Sequence, residues 1–404
     1  MGPAFTSVEG GVVAPEGFLC SGVSAGIKKS GRRDVALLVA EKPCPSAAVF
    51  TTNSMAAAPV VVSREAVASG IARAVVTNSG NANACTGPQG IADARAMAQA
   101  AAHGLGCDPS EVLVASTGVI GVALPVDTVA AGIADAVAAL DSADGTPAAE
   151  AIMTTDTFPK QSALSFEGPA GRVRVGGMAK GSGMIMPNMA TMLAYVTTDA
   201  PLTAAACDAA LRAAVGRTFN RISVDSDTST NDMVVLMASG AAGGEPIDVD
   251  SAGFADVSSA IEEVCRELAR MIVRDGEGAT KLIEVTVQGA ASEADAHEAA
   301  MSVANSPLFK TAVFGGDANW GRVVMAVGKS SAYVDPERIE VVFAGITVCK
   351  NGTGFAFDEV AASAALAEPE ISVVVDLHVG EAQATVLTCD LSYEYVRING
   401  DYRT

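Results

Sequence analysis

The chain has 404 residues, half of them hydrophobic, so it is long enough for two domains or one large layered domain with a sizeable core. Aromatic residues make up only 4%, so that core must consist mainly of Ala, Val, Ile, Leu and Met. The net charge of −20 at pH 7 gives an acidic surface that repels phosphate groups, which argues against nucleic acids and anionic membranes as partners.

Helices and strands are predicted to interleave along the chain. Four Ala-rich amphipathic segments predict helices, with Pro88, Pro125, Thr203 and Ser251 near their starts. These helices span 89–103, 125–140, 203–216 and 254–273. Apolar runs predict strands at 35–40, 72–78, 112–116, 192–198, 233–239, 282–289, 339–345, 372–380 and 384–392. Because the two kinds of element do not strictly alternate, we expect an α/β fold of layered sheets covered by helices. Residues 140–150 are predicted to form a surface connection.

The N-terminal residues lack the basic and apolar regions of a signal peptide, and no window holds about 18 uninterrupted apolar residues. Eight scattered cysteines include no C-x-x-C pair, so neither a zinc site nor a redox motif is predicted. We therefore expect a cytoplasmic protein with reduced thiols and no metal site.

A nucleophile that depends on histidine is poorly supported. The chain has three histidines, His103, His297 and His378. The segment GVSAG at 22–26 matches the G-x-S-x-G nucleophile elbow, but the 21 residues before it are too few for the strands that normally precede that turn. A Gly-rich turn is the simpler interpretation of this motif.

The segment KGSGMIMPNMATMLAYVTTDA at 180–200 suggests another nucleophile. It begins as a Gly- and Pro-containing loop and leads Thr191 directly into a buried strand. If the Ala190–Thr191 bond were cut, the α-amine of Thr191 would have a pKa of about 7.7–8 and could activate its own hydroxyl. The alternative is an ordinary buried threonine at the start of a strand.

Several motifs together resemble the glutamate N-acetyltransferase / ornithine acetyltransferase family of arginine biosynthesis. They are distributed in order over nearly the whole chain. The motifs are AVVTNSGNANACTG (74–87), VASTGVIG (114–121), GMAKGSGMIMPNMATMLAYVTTDA (177–200), FNRISVDSDTSTNDMV (219–234), DGEGATKLIEV (275–285), GGDANWGR (315–322) and NGDYRT (399–404).

The resemblance implies a fold reminiscent of N-terminal nucleophile hydrolases and a precursor that cleaves itself between Ala190 and Thr191. Residues 1–190 would form an α fragment and residues 191–404 a β fragment that begins with the nucleophile. The fragments would stay associated, and two such pairs would form an α2β2 assembly.

The resemblance also implies the reacting groups. Thr191 would be the nucleophile, and the Thr117 hydroxyl and Gly118 N–H would form an oxyanion hole. From the residues alone, the end of a strand leading into a turn is the favoured interpretation of Thr117-Gly118.

Five residues correspond to substrate contacts of the family, in addition to Thr191 itself: Thr154, Lys180, Glu277, Asn399 and Thr404. Each has a simpler alternative: a turn-capping hydroxyl, a solvated lysine, an exposed loop glutamate, and a frayed chain end for the last two. The apolar side chains of YVRINGDYRT (395–404) favour a docked end, with Asn399-Gly400 as a turn.

The implied reaction moves the acetyl group of N2-acetyl-L-ornithine to L-glutamate through an acetyl-threonine ester, without a cofactor. Acetyl-CoA stays open as a second acetyl donor. The alternatives are an N-terminal-threonine aminopeptidase or amidase on the same scaffold, and a non-enzymatic amino-acid-binding regulatory protein with an intact chain.

Overall fold

The computed structural model describes residues 3–168, 171–186 and 192–401. Within these ranges the strands are β1 Thr6–Ser7, β2 Phe18–Val23, β3 Val35–Phe50, β4 Ile71–Asn81, β5 Val112–Val119, β6 Lys160–Gly168, β7 Gly171–Lys180, β8 Leu193–Thr198, β9 Ile222–Ser223, β10 Met233–Ala238, β11 Leu282–Ala290, β12 Glu340–Phe343, β13 Ile346–Lys350, β14 Thr353–Gly354, β15 Glu370–Asp376 and β16 Ala382–Cys389. The helices are α1 Ala58–Ala66, α2 Gly87–Leu105, α3 Val126–Ala138, α4 Thr146–Ile152, α5 Ala204–Arg217, α6 Phe254–Arg274, α7 Glu293–Ala304, α8 Pro307–Phe314, α9 Trp320–Gly328, α10 Glu359–Ala365 and α11 Tyr393–Asp401.

Nine strands of the described residues form a mixed sheet in the order β1-β6-β7-β8-β10-β3-β4-β5, with β2 paired to β3. Its central strands β8 and β10 run parallel, with Leu193 opposite Met233. Strands β4 and β5 are also parallel. The ends of β5, β8 and β10 carry segments of the motifs that define the predicted site.

Both faces of this sheet are buried. In β10, Val234 and Leu236 point into the core shared with α5 and α6, whereas Met233 and Val235 belong to the core on the opposite face. Burial on both faces explains why the central strands are continuously apolar in sequence instead of alternating apolar with polar residues. The layered α/β prediction is confirmed.

The second sheet has seven described strands in the order β14-β13-β12-β15-β11-β16-β9. It builds a separate core with helices α7–α10, rich in alanine and valine. Loop 275–281 joins α6 to β11 and so links the two sheets at the point where Glu277 lies. Among the described residues, no helix is both long enough and apolar enough to cross a bilayer.

The four predicted helices are confirmed to within two residues at each end, and each predicted strand overlaps an observed one. The predicted strands 372–380 and 384–392 run four and three residues past the ends of β15 and β16, and 339–345 covers β12 together with the turn that follows it. The surface connection at 140–150 is wrong in its second half: α4 begins at Thr146, and its Ala148 and Ala149 are fully buried. The turn at Asn399-Gly400 is also wrong, because both residues belong to α11. The polar and small residues suggested exposure at these positions. Instead, tertiary packing places part of α4 in the core, and α11 continues through the expected turn.

Candidate active site

A pocket of about 220 Å³ lies where the ends of β5, β7, β8 and β10 meet the α6–β11 loop and α11. It brings together six of the predicted site residues from separate parts of the chain: Thr117, Gly118, Thr154, Lys180, Glu277 and Asn399. The predicted nucleophile Thr191, its neighbour Ala190 and the terminal Thr404 lie outside the described residues. Their roles stay predictions.

Thr117 and Gly118 are among the last three residues of β5 and line the pocket. Lys180 Nζ donates a hydrogen bond to Thr117 Oγ1 over 3.3 Å. Gly118 has φ 132°, and a Cβ there would lie 2.4 Å from the backbone carbon of Gly80. Only glycine therefore fits at position 118, between β4 and the pocket. As a result, the Thr117 hydroxyl lies beside a Gly118 backbone that no side chain obstructs.

Lys180 is buried at the end of β7, above a charged cluster. Burial lowers the pKa of Lys180, and the nearby Asp156 carboxylate opposes that shift. Asp156 accepts hydrogen bonds from Lys160 Nζ at 2.7 Å and from Gly181 N at 2.7 Å. Lys160 also donates to Asp275 over 2.5 Å, and all three side chains of this cluster are 0–3% exposed. The cluster fixes the strand end that presents Lys180.

Two opposing effects act on the pKa of Asp156. Burial would raise the pKa of its carboxyl, but the ammonium groups of Lys180 and Lys160 bring that pKa below its usual range. The carboxylate also accepts the backbone N–H of Thr154 at 2.9 Å. Thr154 and Lys180 are therefore oriented by the same buried carboxylate.

The loop after Lys180 is held from both sides up to Met186. Asp225 accepts the backbone N–H groups of Met184 at 2.6 Å and Ile185 at 2.8 Å. Burial raises the pKa of Asp225 against these two hydrogen bonds. Met192, where the described chain resumes, accepts a hydrogen bond at its carbonyl from Met233 N at 3.0 Å. The loop is therefore anchored on both sides of residues 187–191.

Glu277 and Asn399 contact each other at the pocket mouth. Asn399 Nδ2 donates to Glu277 Oε2 over 2.7 Å, and Glu277 N donates to Ser182 O over 2.8 Å. A Cβ at Gly183 would lie 2.5 Å from the Glu277 carboxyl carbon, so the loop after Lys180 and the Glu277 loop touch without room for a larger residue. Helix α11 delivers Asn399 to this contact.

Sequence reasoning missed the two residues that precede β10. Asn231 Nδ2 donates to the carbonyl oxygens of Ala82 and Ser116, at 2.6 and 2.8 Å, and so ties this segment to the strands that carry the predicted oxyanion hole. Asp232 is 2% exposed and lines the pocket. A carboxylate directly before a fully apolar strand was the available signal, within the motif at 219–234.

Asp156, Lys160 and Asp275 were also missed. Their spacing in sequence gives no pattern, because two lie around the start of β6 and the third directly follows α6. In the part of the chain that the structure describes, no group of three or more His, Cys, Asp or Glu side chains is arranged to hold a metal ion.

The pocket thus holds two chemically different sets of groups. The Thr117 hydroxyl, Gly118 and the Lys180 ammonium suit a carbonyl oxygen that gains negative charge. Glu277, Asp225 and Asp227 also line the pocket and suit a cationic amino-acid side chain. The geometry fits acyl transfer from a substrate that carries both charges.

Comparison with known proteins identifies the family. The model of the ArgJ family matches residues 19–404. The chain belongs to the ArgJ family. The arginine biosynthesis bifunctional protein ArgJ of Symbiobacterium thermophilum is 55% identical, covering 98% of this chain and 99% of that protein. The ArgJ of Geobacter sulfurreducens is 52% identical, covering 96% of this chain and 99% of that protein.

A solved structure gives the same result. The crystal structure of the arginine biosynthesis bifunctional protein ArgJ from Bacillus halodurans is 45% identical, with a TM-score of 0.50, and covers 52% of this chain and 98% of that chain. The resemblance read from the motifs is therefore confirmed, and this ArgJ-family protein is an acyltransferase of arginine biosynthesis.

Proposed function

We propose that this chain transfers the acetyl group of N2-acetyl-L-ornithine to L-glutamate, giving L-ornithine and N-acetyl-L-glutamate. The observation that carries the proposal is the convergence of Thr117, Gly118, Lys180, Glu277 and Asn399 in one pocket of an ArgJ-family chain. These residues are up to 282 positions apart in the sequence (399 − 117), so their meeting follows from the fold and not from proximity along the chain.

The enzyme is first activated by cleavage of its own chain. The Thr191 hydroxyl attacks the carbonyl carbon of Ala190, the C–N bond breaks, and the hydroxyl proton ends on the leaving nitrogen of Thr191. Water then hydrolyses the resulting ester, which leaves a carboxylate on Ala190 and a free amine on Thr191. The anchoring of the loop by Asp156 and Asp225 supports this step, because it holds residues up to 186 in one arrangement.

Acetyl transfer then follows in two half-reactions. The Thr191 amine takes the proton of its own hydroxyl, which attacks the acetyl carbonyl of acetylornithine. The oxyanion is held by Thr117 and Gly118, and ornithine leaves with that proton on its amine, so that an acetyl ester remains on Thr191. The amine of L-glutamate attacks this ester, the bond between the acetyl carbon and the Thr191 side-chain oxygen breaks, and a proton of the attacking amine returns to that oxygen, which gives N-acetyl-L-glutamate and the free enzyme. One oxyanion donor is typically worth ~10²–10³ in rate.

The charges of the substrate are complementary to two sets of groups in the pocket. Lys180 binds the substrate carboxylate, with Thr154 beside it on the same Asp156 support. Glu277 and Asn399 bind the ornithine ammonium, assisted by the Thr404 carboxylate at the chain end. Each desolvated charge-assisted hydrogen bond contributes about 1.5–3 kcal/mol.

The assembly follows from the same mechanism. Fragments 1–190 and 191–404 stay paired because β7 and β8, which pair from Lys180↔Leu193 to Val175↔Thr198, come from different fragments. We propose an α2β2 assembly in the cytoplasm that needs no cofactor.

Acetyl-CoA is the candidate for a second donor, because the relatives carry the name bifunctional protein. The test uses purified protein and measures ornithine, N-acetylglutamate and acetate, with acetylornithine or acetyl-CoA as donor. Transfer to glutamate in excess of acetate release supports the proposal. Acetate as the main product would instead assign an aminopeptidase or amidase. Thr191→Ala should be a single, inactive chain, and an active single chain would overturn the mechanism.

A further inference from the structure

Asp232 is a buried carboxyl in the pocket that the mechanism above does not use. It is 2% exposed, and its Oδ2 atom has no hydrogen-bond partner among the described residues. Burial raises the pKa of Asp232 well above its usual value, although the Ser229 hydroxyl and the Lys180 charge oppose the shift. A buried polar atom without a partner is costly, so a partner supplied by a ligand or by the reaction would account for it.

The position of Asp232 is fixed by its backbone. Its carbonyl accepts a hydrogen bond from Thr51 N at 3.0 Å, and the next residue, Met233, donates to Met192 O at 3.0 Å. On the other side, Asn231 is bonded to the strands that carry Thr117. Asp232 therefore lies immediately before the start of β10, between Asn231, which is hydrogen-bonded to the Thr117 side, and Met233, which is hydrogen-bonded to Met192 before β8.

The charged side chains around Asp232 are mostly acidic, so a cationic group can bind beside it. The titratable side chains that line the pocket with Asp232 are Lys180, Asp225, Asp227, Glu277 and Tyr395. The only described cation among them, Lys180, donates its hydrogen bond to Thr117 Oγ1. An ionised Asp232 offers its Oδ2 atom as an acceptor, and the groups that react in the proposed function carry amine N–H donors.

We propose that Asp232 binds an amino group at the reaction centre and orients it for proton transfer. The inference rests on the proposed function. The proposed reaction uses two amines: the α-amine of Thr191, the residue that precedes Met192 in sequence, and the α-amine of the acceptor L-glutamate. Both offer the same N–H chemistry to Oδ2.

The two half-reactions separate these sources. In processed Asp232→Asn, ornithine release from acetylornithine is measured by rapid quench without glutamate between about pH 6 and 9, and steady-state transfer is measured against glutamate concentration. If the partner is the Thr191 amine, the ornithine burst slows at least tenfold and its acidic limb moves to lower pH, because the ammonium loses its counter-charge. If the partner is the glutamate amine, the burst is unchanged and kcat/KM for glutamate falls at least tenfold.

Asp199→Asn is the matched control. Asp199 is also 2% exposed with a pKa raised by burial, but its oxygens accept backbone N–H groups of Arg174 and Glu16 outside the pocket. It should leave both half-reactions and their pH profiles unchanged. Asp232→Ser, a smaller neutral replacement, repeats the test if the asparagine variant does not fold.

The proposal is overturned if both half-reactions of the Asp232 variants stay within about twofold of wild type. It is also overturned if a folded variant is not processed, because the amine-binding role begins after cleavage. Wild-type protein that is itself unprocessed would contradict the proposed function instead, so the two failures are distinguishable on one denaturing gel.

Discussion

Replacing Lys160 by methionine should destabilise the protein strongly, and more at neutral than at acidic pH. The Lys160 side chain is fully buried between Asp156 and Asp275, at 2.7 and 2.5 Å, and those carboxylates are 0% and 3% exposed. Methionine keeps the length and most of the volume but removes the charge. Two buried carboxylates would then have lost the ammonium that bridges them.

The magnitude follows from the geometry. Breaking a buried ion pair by removing one partner costs about 3–5 kcal/mol, because an uncompensated charge stays buried. An unfolding entropy of roughly 2.1 cal/mol/K per residue gives about 0.85 kcal/mol/K for a chain of this length, so Tm should fall by about 4–6 °C.

The pH dependence has a defined sign. In the wild type, the pKa of Asp156 lies below its unfolded value, so its contribution is present above about pH 4 and is lost as pH falls through the folded pKa. Without Lys160, burial raises that pKa, with Lys180 as the remaining opposing charge. The variant's deficit should therefore be largest at neutral pH and shrink on acidification, since a protonated carboxyl tolerates burial.

The assay is urea unfolding at about pH 7.5 and pH 5, at one protein concentration because the fragments associate. Arg212→Met is the control: its ion pair with Asp208 has side chains 54% and 47% exposed, and its loss should cost less than about 1 kcal/mol. A Lys160→Met variant no less stable than Arg212→Met, or one with a deficit independent of pH, would refute the reasoning.

Three further substitutions test the pocket. Gly183→Ala should raise the KM for acetylornithine about tenfold or more, because its Cβ would displace the Glu277 carboxylate, whereas Gly216→Ala, with nothing within 4 Å, should leave steady-state kinetics unchanged. Thr117→Ala should lower kcat by ~10²–10³ with little change in KM, and an unchanged kcat would remove Thr117 from the oxyanion hole. Glu277→Gln should raise the KM for acetylornithine with processing intact on a denaturing gel, and unaltered kinetics would make Glu277 a loop residue only.

The sequence predicted a helix or strand correctly where a single local pattern was enough to define it. Helix α6 was visible from its amphipathic period, and β10 from its unbroken apolar run. The paired β6 and β7 were not predicted, because their alternating polar and glycine residues resemble loop composition. Their strand character comes from pairing with each other over nine residues of each strand, which no local pattern shows.

The site residues also include some that the sequence predicted and others that it did not. Residues carried over from motifs, such as Thr117 and Glu277, line one pocket, and the family resemblance was the only reason to select them. Asp156 and Lys160 could not be found in the same way, since their importance lies in mutual burial. Asp232 shows a third case, in which the motif was recognised but the unpartnered carboxyl became visible only from its contacts.

The most direct test of the central claim is the intact mass of the purified protein after incubation with acetylornithine and no glutamate. The proposed mechanism predicts two chains, 1–190 and 191–404, with one acetyl group on the second chain at Thr191 that disappears when L-glutamate is added. Peptide mapping of the acetylated chain places the group. An active enzyme that stays one intact chain, or that turns over without an acetylated Thr191 even under rapid quench, would contradict the mechanism.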